Sequence, residues 1–179
     1  MSNASGKLVI IGILTVALAA AGVSWWFRFN VTHRAAEFWG PKTARLIRDA
    51  PVVRFWLQSP PTQLPALIES QTSTDTDTHS AAIRDITNAH GFIHLRNALL
   101  DDRSFQWPPK PPASDATWKW IVSFHSDGAQ EQAILVLTSD CKFVADFHRP
   151  GEVLSCEPIA KGLEEVFTEF SSLPPTPSR

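Results

Sequence analysis

The amino-acid sequence predicts an α+β protein: an N-terminal transmembrane helix followed by an antiparallel β-meander packed against several short helices. Three observations predict it. An uncharged apolar stretch runs from Leu8 to Phe27, apolar and polar residues alternate in the last third, and helical spacings of apolar residues come before and after that alternation. Of 179 residues, about 150 remain once the first segment is set aside, the size of one domain with its own core. The expected division is 1–30 as N-terminal tail and single transmembrane anchor, 31–173 as a soluble α+β domain, and 174–179 as a frayed tail.

The stretch LVIIGILTVALAAAGVSWWF, rising about 1.5 Å per residue, is long enough for a hydrocarbon core of about 30 Å. Trp25, Trp26 and Phe27 close it and Arg28 follows, which suits the headgroup boundary where indole rings settle. The same residues also compose a cleavable leader, with Lys7 as its charged start, Leu8 to Leu18 as its apolar core and Ala19-Ala20-Ala21 as its cleavage site. A chain cut before Gly22 would present Val23 and both tryptophans to water, so an uncleaved single-pass span in contact with the bilayer through residues 8–27 is the expectation. Two signals disagree on which side receives the domain. Arg28, Arg34, Lys42, Arg45 and Arg48 outweigh Lys7 and place it in the cytoplasm, whereas the alanine run suits export.

Gly40-Pro41 breaks the next segment, and Pro41 is placed to start a short helix over Lys42 to Arg48 that ends before Pro51. Val53, Phe55 and Leu57 then alternate with Arg54 and Trp56, the period of a half-buried strand, closed by Pro60, Pro61 and Pro65. Residues 71–80 contain no apolar side chain and read as a flexible surface loop. Ile83 and Ile86, then Phe92, Leu95 and Leu99, predict a helical pair broken near Gly91. Phe105 and Trp107 lead into an extended connector, PPKPP.

The meander is the strongest pattern. Trp118, Trp120, Val122 and Phe124 fall on one face of a strand, Ser126-Asp127-Gly128 turns the chain, and Ala133 to Thr138 returns it. Phe143, Ala145 and Phe147 alternate next, and Val153 to Cys156 follows Arg149-Pro150-Gly151. Pro158 starts a final helix whose stripe of Ile159, Leu163, Val166, Phe167 and Phe170 can cover a sheet face.

Two phrases, Phe38-Trp39-Gly40-Pro41 with Ala44-Arg45-Leu46-Ile47-Arg48-Asp49-Ala50-Pro51, and His94-Leu95-Arg96-Asn97-Ala98-Leu99-Leu100-Asp101-Asp102, resemble stretches in membrane-anchored hypothetical proteins of planctomycete-type bacteria. The resemblance covers about a third of the chain. It implies a bacterial, membrane-tethered protein and brings no functional residues with it.

All eighteen Asp and Glu follow Phe27, as do all Lys and Arg except Lys7, so the domain is slightly acidic and offers no field for nucleic-acid phosphates. No cofactor motif is present, since the eight glycines are scattered rather than gathered into a phosphate loop. His90 and His94 have the four-residue spacing that lets two imidazoles on one helix face share a metal, but the general base of a zinc-protease helix is missing between them. Cys141 and Cys156 lie on or beside consecutive strands and are either ordinary thiols or, in an oxidising compartment, a disulfide. A nucleophilic set could be drawn from Cys141, His148 and Asp146, since a thiol needs a base within hydrogen-bond reach, but nothing in the sequence shows that they converge. The acidic pairs Asp101-Asp102 and Glu164-Glu165 read as solvated helix faces.

Of the seven tryptophans, Trp39, Trp56, Trp107, Trp118 and Trp120 read as core or sheet-face packing. Trp56 differs in sharing a face with Arg54, away from Val53, Phe55 and Leu57, and an exposed aromatic and arginine pair suits a protein partner. The expectation is a membrane-tethered, non-catalytic binding or scaffold domain with a protein partner or self-association. The alternatives are a membrane-anchored hydrolase with a His or thiol site and an oligomerising envelope structural protein.

Overall fold

The computed structural model describes residues 3–62, 82–111, 113–127, 131–149 and 151–176. The loop expected at 71–80 lies outside the described residues. The N-terminal apolar run forms the start of a helix, α1, over Asn3–Asp49. Within it Val9–Trp26 is long and apolar enough to cross a membrane, and none of that stretch is buried against the rest of the protein. Trp25 and Trp26 are 72 % and 61 % exposed. The helix does not stop at the boundary expected near residue 30 but runs on into the core, where Ala35, Trp39, Ala44, Leu46 and Ile47 are buried.

A kink at Gly40, with φ 75°, divides α1. Pro41 has no N–H to continue the ladder and its ring crowds the preceding turn, while glycine tolerates the left-handed backbone that results. The carbonyl of Phe38, freed by the break, accepts a hydrogen bond from Arg149 Nη1 at 2.7 Å. The segment after the break is the short helix that Pro41 predicted.

The strands are β1 (Val52–Thr62), β2 (Arg84–Asp85), β3 (Gln106–Lys110), β4 (Trp118–His125), β5 (Gln132–Thr138), β6 (Phe143–Asp146) and β7 (Val153–Ser155). Among the described residues they form one antiparallel sheet of seven strands in the order β2-β1-β4-β5-β6-β7-β3. The predicted meander is its centre. Two further helices, α2 (Phe92–Leu100) and α3 (Ala160–Ser172), pack with the second half of α1 on one face, so the fold is α+β.

That helical face holds the larger core. The rings of Phe55, Trp120 and Phe167 stack at centroid distances of 5.6 to 5.9 Å, and Phe170 meets Phe55 edge-on. Leu163, Phe167 and Phe170 are the buried stripe of α3, with Ile159 and Val166 half-buried beside it, as the helical period required. The opposite face carries a smaller cluster of Trp118, Ile121, Ile134, Val136, Ala145, Phe147 and Val153, so the central strands are apolar on both sides.

Four local expectations are corrected. Trp118 lies on the opposite face from Trp120, Val122 and Phe124, because a register irregularity between Trp118 and Trp120 inserts a residue and reverses the parity of the strand. Residues Arg84 and Asp85 form an edge strand paired with Arg54 and Phe55, so only the second member of the expected helical pair, α2, is a helix. Gly91, at φ 81°, breaks the chain just before it. The Pro60-Pro61 pair sits inside β1, in a stretch of irregular register with β4, rather than ending the strand. The proline-rich connector is extended but is also a strand, β3, at the edge of the sheet, where proline's missing donor is tolerated. The C-terminal segment is held as far as Thr176, whose N–H donates to the Ile83 carbonyl and whose hydroxyl accepts from the Asp85 N–H.

Candidate functional site

Residues directly opposite one another on paired strands share a sheet face. Arg54 on β1 is opposite Ser123 on β4 and Asp85 on β2; Val52 is opposite His125, and Trp56 opposite Ile121. The strand period therefore gathers Arg54, Trp56, Asp85, Ser123 and His125 onto the face away from the helices. This is the face that the Arg54–Trp56 alternation predicts, with three polar neighbours added by strand pairing.

Trp56 is half-buried and lies against the smaller cluster, so its ring is braced from one side. Arg54 is exposed, and among the described residues no carboxylate lies within ion-pair distance of it. Asp85 turns one carboxylate oxygen, Oδ1, to the N–H of Thr87 at 2.9 Å. Ser123 Oγ and His125 Nε2 are 2.8 Å apart. Burial lowers the His125 pKa below its ordinary value of 6.5, and the positive charge of Arg54 lowers it further, so the imidazole is neutral at pH 7. Serine and a neutral histidine at this distance resemble a nucleophile and its base. Ser123 is only 1 % exposed, however, and a hydroxyl without access to a substrate carbonyl is a satisfied polar group rather than a nucleophile. The arrangement presents a cation and an indole beside an uncharged imidazole.

The structure does not place His90 and His94 on one helix. His90 lies in the turn before Gly91, outside α2, and its Nδ1 is 3.6 Å from Glu169 Oε1 of α3; His94 is in the first turn of α2 and exposed. The left-handed Gly91 removes the common helix face that the spacing required. Among the described residues no three His, Cys, Asp or Glu side chains are grouped to hold a metal ion.

Cys141 and Cys156 are free, buried thiols in the larger core rather than a disulfide. Burial pushes the Cys141 thiol up to about 12, with Glu164 and Asp140 adding to the shift, and burial together with Cys141 raises Cys156. A thiol held in that state supplies almost no thiolate at neutral pH. The Cys141, His148 and Asp146 set does not form: Asp146 is buried and accepts from Thr43 Oγ1 at 3.2 Å and from the backbone N–H of His148, while the His148 ring is exposed against Phe147.

Two residues are placed in roles that the sequence did not signal. Asp102 is not a solvated helix-face acid, since its carboxylate accepts from the backbone N–H groups of Arg34 at 3.1 Å and Ala35 at 2.7 Å in α1. Arg96 stacks on the Phe92 ring and donates to the carbonyls of Arg48 and Ala50 at the other end of α1. Trp39 is fixed between them, its indole N–H donating to the Leu99 carbonyl at 2.7 Å. Asp101, the other half of its acidic pair, chelates Arg103, and that hydrogen bonding holds its carboxyl below the usual range. Compared with known proteins, the chain matches no family model, no curated protein and no solved structure.

Proposed function

We propose that this chain is a membrane-tethered binding domain, held at the bilayer by an uncleaved Val9–Trp26 span and engaging a protein partner through the Arg54–Trp56 face. The observation that carries the proposal is the pairing of an arginine without a carboxylate partner among the described residues and a braced, half-buried tryptophan on one rigid strand. Rigid aromatic and arginine side chains contribute most of the energy in protein interfaces, because little side-chain entropy is lost per contact. The buried thiols and the inaccessible Ser123 support docking over hydrolysis.

The test places a photo-crosslinking residue at position 56 of the full-length chain in its membrane, with an identical residue at exposed Glu165 as control. A discrete adduct from position 56 alone, abolished by Arg54→Glu, is the expected result. No adduct, or equal adducts from both positions, would remove this face as the binding surface.

A further inference from the structure

We infer that the outer edge of β2 is a docking edge for an extended segment bearing a proline-flanked threonine, that residues 173–176 of this chain are its resident occupant, and that they detach as a strap while the domain stays folded. Backbone groups of successive residues in a strand turn to opposite edges. The Ile86 N–H donates to the Val53 carbonyl and Arg84 pairs with Phe55, so residues 84 and 86 face β1. Ile83 and Asp85 therefore turn their backbone groups outward. Thr176 takes the two that flank Arg84: its N–H donates to the Ile83 carbonyl and its Oγ1 accepts from the Asp85 N–H, each at 2.8 Å. A residue of a parallel partner strand makes this same pair of bonds, to the residues before and after the one it faces, with its own carbonyl where Thr176 uses its hydroxyl. Thr176 thus stands in for a partner strand one residue long.

The sequence Pro174-Pro175-Thr176-Pro177 suits that role. Proline has no N–H and favours an extended backbone in the residue before it, so Thr176 is the one backbone donor of the four and is biased to the conformation that an edge needs. The segment is rooted at Leu173, a half-buried residue packed against the larger core, whose carbonyl accepts from Arg84 Nε at 2.8 Å. Beyond that root Pro174, Pro175 and Thr176 are exposed, and hydrogen bonds made by exposed chain with little apolar burial are the first to open. With the strap off, the Ile83 carbonyl, the Asp85 N–H and the Ile83 side chain, 43 % exposed, form a bare edge of the kind to which an extended peptide adds as a strand. Asp85 lies opposite Arg54, so the edge continues the face proposed above for docking, and only in this continuity does the inference rest on that reading.

Amide hydrogen exchange at Asp85, followed by NMR on the chain in detergent micelles, tests this with a chain ending at Leu173 and with the full-length variants Thr176→Val and Thr176→Ser. Loss of the strap or of its hydroxyl is expected to speed exchange at Asp85 about fivefold, the effect of one hydrogen bond, while Thr176→Ser and the amides of β4 and β5 stay as in wild type. A blocked peptide of residues 173–177 at about millimolar concentration, the range that a short tether supplies, is expected to slow Asp85 again in the chain ending at Leu173, and the same peptide carrying Thr176→Val is not. Adding Trp56→Ala, which removes the face proposed for the partner, is expected to leave the peptide's protection intact, so failure of that face and failure of this edge are separate results. Exchange at Asp85 unaltered by Thr176→Val, acceleration that spreads through β4 and β5, or a peptide without effect on the shortened chain would overturn the inference.

Discussion

His125 and the two cysteines show what burial does to single ionisable groups in this protein. The His125 pKa is lowered in the folded chain, first by desolvation and then by Arg54, so the unfolded chain binds a proton more readily. Stability from this residue is therefore fully present above the ordinary imidazole value of about 6.5 and is lost as pH falls through it toward the folded value. Thermal unfolding of wild type and His125→Gln between pH 7.5 and pH 5, values of about the imidazole range, should show a steeper loss for wild type. Parallel curves would mean that the ring is not desolvated. Cys141 and Cys156, both 0 % exposed, should react with a thiol reagent only after unfolding, and prompt reaction of the native chain would contradict the packing around them. Their burial was not readable from the sequence, where two cysteines on neighbouring strands suit a disulfide equally well.

Helices and strands with a clean local period were legible, and those shaped by distant contacts were not. The stripe Leu163, Phe167 and Phe170 and the alternation Val53, Arg54, Phe55, Trp56 need no knowledge of a partner, because the faces follow from the period alone. The face of Trp118 is not legible in the sequence, because an irregularity beside Lys119 reverses the strand's parity. The roles of Ser123 and His125 are not legible in the sequence, because β4 is buried on both faces and so offers no contrast between an inner and an outer side. The role of Asp102 is hidden for another reason, since its partner Ala35 lies 67 residues away. Among the elements, α3 contributes the central ring of the larger core. Phe167→Ala should cost about 3–5 kcal/mol of domain stability, read from urea unfolding of the chain in micelles, and the half-buried Val166→Ala clearly less. Equal losses from the two would contradict the packing of Phe167 against both Phe55 and Trp120.

At the scale of the whole molecule, the apolar stretch Val9–Trp26, none of it buried, continues into a domain whose core takes only later residues of α1, from Ala35 on. Val9–Trp26 is long and apolar enough to cross a membrane, and the proposed function assigns a bilayer as the environment that covers it. The proposed uncleaved anchor would also account for the aromatic pair at Trp25 and Trp26, which a cut at the alanine run would leave at a new terminus. In the proposed function the domain meets its partner through the Arg54–Trp56 sheet face, which is directed away from the helices. The most direct measurement is the fate of a C-terminally tagged full-length chain expressed in bacterial cells, washed with alkaline carbonate and read by N-terminal sequencing. The expected result is a chain retained in the membrane pellet with its N-terminus upstream of Leu8. A chain released into the supernatant, or one beginning at Gly22, would contradict the anchor and with it the proposed function.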